Sequence, residues 1–598
     1  MWKNSISTRQ WEMPCIFTLL MAVALPAEAQ WTADSSVNTP VCTAFGDQLN
    51  PVTVTDGHGG VIVAWEDNRG ASNIFAQRLD ACGYPRWADD GIPLWMQPEA
   101  QQKPKVVSDS SGGAIVSWVD YRGGDTTIFV QRIDPSGVAL WESDGVPVVR
   151  VRSGVNYQMA EDGSGGVILC WEDWRNGNAD IYAQRLNGLG QPIWYSGGVP
   201  MCTDTSDQMG ASLVGDGRGG AIVAWADMQD RTRLSAAKVG SGGSLAWLPN
   251  WNINCFYDVA QGPYAITDGR GGAILIWHEH WQAGMSVHGQ RIDAEGVGQW
   301  GPEGVTIDTL GQGFMAIAYV VSDANAGVFT SLSAISGILE IPVLAHSDSA
   351  GLTSQFSYGI GTGGWVVPDG VGGATFMIYG PIDIPAPVVS VQLDASGQWV
   401  SRRRVVSTSA STGRGFTACS DGLRGAIAIW SDFRNGAQGD IYAQHIPGWG
   451  TSNVTRSQGW NLVSVPRAVS DSGAYGLFPK AMWGTIYGFL SRTYQRQSVL
   501  SPGQGYWALY DGSACDTLGG DGLPGTSLTI NTGNRWVLVG SVSSALPTAH
   551  LASTPSGAIV SGSVYGFDGL RYEVPEELEP GKGYWVFVNA PCTLTIAQ

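Results

Sequence analysis

One pattern recurs along most of this chain. DGHGGVIVAWEDNRGASNIFAQRLDACGYPRW runs from Asp56 to Trp87. It returns as DSSGGAIVSWVDYRGGDTTIFVQRIDPSGVALW, from Asp109 to Trp141, and as DGSGGVILCWEDWRNGNADIYAQRLNGLGQPIW, from Asp162 to Trp194. Matching aspartates follow at Asp216, Asp268, Asp323, Asp369 and Asp421, giving eight units spaced 46 to 55 residues apart. A unit of this length cannot bury an apolar face alone and must stack on its neighbours.

Each unit parses into four strands. A short run such as PVTVTD is strand A, and the D-G-x-G-G segment is a turn, because Gly reaches positive φ without steric cost. VIVAWED is strand B and NIFAQRLD strand C, with the β-branched and aromatic content that strands favour. A Gly-containing hairpin leads to strand D, which carries a Trp. Composition agrees: Gly is 82 of 598 residues, only 14% are charged and 43% are hydrophobic, so a disordered chain is excluded. Four-stranded units of this size, repeated eight times, predict an all-β, eight-bladed β-propeller.

The ends predict how the ring closes. The eighth unit stops after strand C, near Gly450, while QWTADSSVNTPVCTAFGDQ at the N-terminus aligns with the third unit's fourth strand, Trp31 with Trp194 and Cys42 with Cys202. The N-terminal strand is therefore expected to complete the last blade and hide its edge. Trp65, Trp118, Trp171, Trp225, Trp277 and Trp430 share the strand B position, and Trp31, Trp87, Trp141, Trp194, Trp247, Trp300 and Trp399 the strand D position. Together they are half of the 26 Trp, and packing between blades is the expected role. The sixth unit lacks the strand B Trp, and the seventh has Tyr379 in its place.

The repeat ends at residue 450, so 30–450 is read as the propeller and 451–598 as a second domain. There GWNLVSVP and LSPGQGYWALY are answered by NRWVLVGSV and LEPGKGYWVFV. Trp460 matches Trp536, Phe489 matches Phe567, and Tyr506-Trp507 matches Tyr584-Trp585. This is a duplicated small β domain, with halves read as about 455–530 and 531–598.

Residues 1–29 read as an export signal: Lys3 and Arg9, an apolar run from Cys15 to Leu25, then Ala27-Glu28-Ala29 before Gln30. The run is too short to span a membrane, and no later stretch is long enough. The mature chain is expected to be extracellular, at the cell surface or periplasmic. A net charge of −19 excludes a nucleic-acid partner, whose phosphates need a basic surface. Eight Cys remain after cleavage, and Cys515 and Cys592, at nearly equivalent points of the two halves, are a candidate disulfide. Cys170 and Cys419 lie within strand-like runs, where a buried free thiol is expected.

The repeat resembles the WD-like repeats of the Tol-system periplasmic propeller, which share a D-G turn, an apolar strand and a D-R-x-G-x-x-D-I-Y loop. EDWRNGNADIYAQRL from Glu172 and SDFRNGAQGDIYAQHI from Ser431 carry the likeness. The unit also looks like repeats in large exported bacterial proteins of unassigned function, and WNLVSVP…GYW is similar to modules near the ends of such surface proteins. These resemblances imply a fold and not an activity. Quinoprotein dehydrogenases and sialidases fit less well. Asp80, Gly83 and Trp87 are one residue short of the quinoprotein docking spacing, no adjacent Cys pair is present, and the sialidase box would place its Trp earlier.

Candidate sites are few. Strand B ends in Asp67/Arg69, Asp120/Arg122, Asp173/Arg175 and Asp432/Arg434. A fork-shaped Arg–carboxylate pair copied in four blades reads as a structural staple, with a ring of calcium-binding oxygens as the alternative. No other cofactor is expected. Blades 4 to 7 have lost the pair, which marks them as a candidate ligand surface. His278, His280 and His288 cluster in the fifth unit. His278 and His280 alternate onto one strand face, a hairpin could return His288 beside them, and Glu279 would point away; three such imidazoles could hold a transition metal. Trp281, Tyr506, Trp507, Tyr584 and Trp585 are candidate stacking groups for a glycan. No catalytic residue can be singled out, since a glycosidase needs a specific carboxylate pair. The expected function is an exported, non-catalytic binding or scaffold protein recognising a protein or glycan at the cell envelope. The alternatives are a polysaccharide-active enzyme using the propeller channel and a structural surface-layer component.

Overall fold

Every D-G turn is closed by its own aspartate. Asp56 Oδ1 accepts the backbone N–H of His58 at 2.8 Å and of Gly60 at 2.7 Å, while Gly57 and Gly59 take φ of +72° and +89°. The same two bonds recur at Asp109, Asp162, Asp216, Asp268, Asp323, Asp369 and Asp421. These turns launch the apolar strand B of each unit in the computed structural model. It describes residue 31 and residues 35–597 except 125, 229–232, 248–250, 255–257, 282–283, 311–313, 337–338, 358–361, 380–386, 395–403, 409–414, 437, 449–450, 469–472, 479, 483, 491–492, 512–513, 520, 523–524, 532–534, 544 and 570. The export signal read at 1–29 and Trp399 lie outside the described residues.

The fold is all-β, with a single four-residue α-helix, Ala474–Leu477, among the described residues. No helix of the described residues is long and apolar enough to cross a membrane. Contacts divide the chain into one unit of Gln30–Trp449 and a second that holds Gly450–Gln598.

In the first unit each repeat forms a four-stranded antiparallel sheet with strands in sequence order. The first sheet is Gln48–Thr55, Val61–Asp67, Asn73–Leu79 and Ile92–Pro93, with Trp65 opposite Phe75. The eighth sheet takes Phe416–Ser420, Ala426–Asp432 and Asp440–Ile446 from the end of the unit and Thr39–Cys42 from its start. Thr39 pairs with Ala443 and Pro40 with Tyr442. Strand B is buried on both faces, so it reads as a continuous apolar run rather than an alternating one.

Hydrophobic clusters join each sheet to the next. Trp87 and Ile74 of the first sheet pack with Trp118 and Val116 of the second, and the series continues pair by pair to the eighth. The eighth sheet's Ile427 and Ile441 then pack with Trp65 and Val61 of the first, through Val41 and Cys42. The strand D indoles stitch the same seams. Trp87 Nε1 donates to Pro135 O, Trp141 to Gly188 O, Trp194 to Ser241 O, Trp247 to Ala294 O and Trp300 to Ser349 O. Trp31 donates to Ala81 O at 2.9 Å, so it takes the strand D place in the eighth sheet and bonds to the first. Gly137 shows why the hairpin needs glycine: its φ is +91°, and a Cβ there would lie 2.9 Å from the Trp87 ring.

The register corrects one alignment. Ala374 pairs with Leu393 as Val61 pairs with Leu79, so Ile378, not Tyr379, holds the strand B Trp position of the seventh sheet.

The second unit is two copies of one arrangement. Gly459–Ser464, Gly505–Tyr510, Tyr487–Leu490 and Thr493–Arg496 form one sheet. Arg535–Val539, Tyr584–Val588, Ile559–Phe567 and Tyr572–Glu573 form the other in the same order. The copies contact each other reciprocally: Val463 bridges to Lys582, and Gln504 to Val539. Phe489 meets Trp585 edge-on at 5.0 Å, and Phe567 meets Trp507 at 5.2 Å. Gly525–Ile530 pairs with Cys592–Ala597 as Thr451–Arg456 pairs with Ala514–Gly519. The second copy therefore starts before the residue 531 read from sequence, because this leading strand carries none of the aromatic marks that made the duplication visible.

Candidate functional site

The strand B ends show what the repeated Asp/Arg pair does. Asp67 Oδ1 accepts from Arg69 N at 3.0 Å and Arg69 Nε at 2.8 Å; Oδ2 accepts from Arg69 Nη2 at 2.7 Å and Trp65 Nε1 at 2.9 Å. Arg69 lies over the Phe75 ring at 4.0 Å and donates onward to Asp90 O. Asp120/Arg122 and Asp173/Arg175 repeat these bonds with Trp118 and Trp171. Their guanidiniums lie over Phe129 and Tyr182 and donate to Asp144 O and Gly197 O. Asp432/Arg434 closes the series with Trp430 and Tyr442, and Arg434 donates to Val37 O in the N-terminal segment. In the Asp67, Asp120 and Asp173 staples four donors converge on the carboxylate, which uses its lone-pair directions. Burial alone would raise Asp120 and Asp173, but the bonds from Arg122 and Trp118, and from Arg175 and Trp171, hold both below the ordinary carboxylate value.

A second set of ion pairs was not legible as such. Six of the eight turn aspartates are buried and turn their second oxygen to a basic side chain of strand C. Arg78 bonds Asp56, Arg132 bonds Asp109, Arg185 bonds Asp162 and Arg291 bonds Asp268. His346 and His445 stand in for Arg at Asp323 and Asp421. Arg78 and Arg132 also reach the next sheet, donating to Pro135 O and Gly188 O. The constant spacing from the turn Asp to the Q-R of strand C was the available signal.

The fourth to seventh sheets depart from the staple. In the fourth, Asp227 meets Arg233 only at 3.6 Å. In the sixth, Leu332 and Ala334 hold the Trp and Asp positions. In the fifth, Trp277 Nε1 donates to Glu279 Oε1 at 3.0 Å, and Trp281 stands where Arg69 stands in the first. His288 takes the place of Phe75: it pairs with Trp277, stacks on it at 5.9 Å and lies 3.8 Å from Glu279 Oε2. Its Nε2 is 2.7 Å from Ser286 Oγ.

This register overturns the three-histidine metal site. Directly paired residues share a sheet face. His278 faces Val287 and His288 faces Trp277, so His288 lies with Glu279 and away from His278 and His280. His278 is buried, and its Nε2 accepts the N–H of Ile317 at 3.0 Å. Burial holds it down at about 4. His280 is exposed. Among the described residues no three His, Cys, Asp or Glu side chains could share a metal.

The aromatic candidates of the second unit are core residues. Tyr506, Trp507, Tyr584 and Trp585 are all buried, leaving no ring face for a sugar. Tyr506 Oη accepts the N–H of Ser501 at 2.7 Å and Tyr584 Oη that of Glu579 at 2.6 Å, the same tie in each copy. Trp281's side chain lies outside the described residues. The side chain of Cys515 lies outside the described residues, but Cys592 is a free, buried thiol in a different sheet from Ala514–Gly519, which contradicts the Cys515–Cys592 bridge. Cys42 and Cys170 are also free and buried, and burial pushes each up to about 12.

No protein-family model matches the chain, and no curated protein does. Among solved structures, the BP39L lectin from Burkholderia pseudomallei is 12% identical and has a TM-score of 0.39, over 59% of this chain and 98% of that one. Prolyl oligopeptidase B from Galerina marginata is 12% identical with a TM-score of 0.37, over 67% of this chain and 56% of that one. A polysaccharide lyase, the PL25 ulvan lyase, is 10% identical with a TM-score of 0.34, over 68% of this chain and 95% of that one. At these identities and scores the likeness assigns neither family nor ligand.

Proposed function

We propose that the chain is an exported eight-bladed β-propeller that binds a protein or glycan at the cell envelope without chemically changing it. The observation that carries this reading is the asymmetry of the strand B ends. Four contiguous blades, the eighth and the first three, close theirs with an Asp/Arg staple. Strand B of the first blade, Val61–Asp67, stops after seven residues. In the fifth blade Ala273–Trp281 and Gly284–Ile292 run for nine residues, and in the sixth so do Val328–Ser336 and Leu339–Ser347. In these hairpins ladder pairing continues two residues beyond the place where it stops in the stapled blades, over a connection of similar length, and the fifth carries exposed His280 near its tip. Loops that a rigid scaffold holds out in this way are where binding residues concentrate.

The reading is tested with the mature protein on a glycan array and in an oligosaccharide-turnover assay, each with and without calcium. Binding without turnover is expected, weakened about tenfold by His280→Glu if the hairpin tip is a contact of ordinary hot-spot strength. Turnover of any oligosaccharide would contradict the non-catalytic reading. Binding indifferent to His280→Glu and to shortening of either long hairpin would remove this arc from it.

A further inference from the structure

The two copies in the second unit part company at one cavity. It has a volume of ≈160 Å³ and lies along Arg535–Val539, the edge strand of its sheet. Phe489, Leu528, Ile530, Trp536 and Leu538 supply apolar wall, and Arg535 lines it as well. Two buried donors of these residues have no acceptor: Arg535 Nε and Trp536 Nε1. No carboxylate pairs with Arg535 among the described residues.

The first copy lacks this arrangement. Trp460 matches Trp536, so the place of Arg535 is held there by Gly459. The matching leading strand ends in Arg456 where the second copy has Ile530, and Arg456 is buried and donates to Gly581 O at 3.2 Å. Lys582, which matches cavity-lining Gln504, pairs with Glu579 at 2.8 Å. The cations at the corresponding place, Arg456 of the first copy and Lys582 of the second, thus have partners, whereas Arg535 has none in a chain whose net charge is −19. A partly desolvated guanidinium without an anion is costly, and a carboxylate entering the cavity would supply one.

We propose that this cavity binds a carboxylate carried on a small apolar or aromatic group. The volume suits such a body, being close to the roughly 150 Å³ of an engineered apolar cavity that takes up benzene. The same chemistry is offered by a free aromatic acid and by the C-terminal residue of a peptide.

Ligand-observed fluorine NMR on the full mature chain tests the proposal. The probes are 4-fluorobenzoate, 4-fluorobenzyl alcohol, and a short acetylated peptide ending in 4-fluorophenylalanine, as free acid and as amide. The benzoate is expected to bind about tenfold or more tightly than the alcohol, the scale of a charge-assisted hydrogen bond. Arg535→Gln should abolish that preference while leaving the alcohol's binding within about twofold. Ile530→Arg, which copies the first half, should block both probes. Tighter binding of the peptide acid than of the benzoate, lost in the amide, would identify a peptide terminus as the source; the reverse order would identify a small acid. Absence of carboxylate binding at about 10 mM, weaker than any specific site would show, or a preference unchanged in Arg535→Gln, would overturn the proposal.

Discussion

His278 and His288 sit one strand apart in the same hairpin, yet their surroundings differ. His278 lies among apolar neighbours of the fifth and sixth sheets with its Nδ1 unpartnered, whereas His288 has Glu279 and Ser286 beside it. Burial lowers His278 from 6.5 to about 4, so the native chain resists a proton that the unfolded chain accepts. Its contribution to stability is therefore full above pH 6.5 and falls as the pH drops from 6.5 towards 4. His278→Gln keeps an acceptor for the Ile317 N–H but cannot titrate. The pH dependence of the denaturation midpoint should flatten by one proton in that window, and an unchanged slope would contradict the assignment. The sequence showed that His278 and His280 alternate onto one face. It did not show the strand register, which alone decides that His288 lies on the other.

At the scale of the element, the staple is worth more than its two charges. Asp120 accepts from Trp118 Nε1 at 2.9 Å, and both Trp118 and Asp120 are fully buried. Asp120→Ala would strand that indole N–H and leave Arg122 over Phe129 with only the more exposed Asp144 carboxylate, 3.5 Å away, a loss of about 2–3 kcal/mol. Glu579→Ala removes a pair whose side chains are 39% and 53% exposed and should cost under about 1 kcal/mol. Denaturant unfolding followed by Trp fluorescence compares the two; equal losses would mean that the staple is merely a surface pair. The strands, turns and staple positions were legible because each recurs at a fixed place in the unit. The roles of Tyr506, Trp507, Tyr584 and Trp585 were not, because a Trp that fills a core and a Trp that stacks on a sugar look alike until burial is known. The Cys515–Cys592 pairing failed for a related reason: equivalent places in two copies are not adjacent places in space.

For the whole first unit, the decisive step is closure, and here the sequence was most informative. A missing fourth strand at residue 450 and a surplus one at Trp31 pointed to the same seam. Three independent contacts occupy it: the pairing of Thr39–Cys42 with Asp440–Ile446, the Trp31 bond to Ala81 O, and the reach of Arg434 to Val37 O. Without that strand the eighth sheet would expose an unpaired edge, and the first sheet would lose Val41 and Cys42 from its core cluster. The most direct test is a double substitution, Thr39→Cys with Ala443→Cys, at directly paired positions. Cys42 next to this pair should not compete, since burial pushes its thiol up to about 12. Under mild oxidation at low protein concentration, a ring closed by its own N-terminus should form the cross-link within one chain, without dimers. Failure to cross-link, or cross-linking only between chains, would contradict closure of the ring by its own first strand.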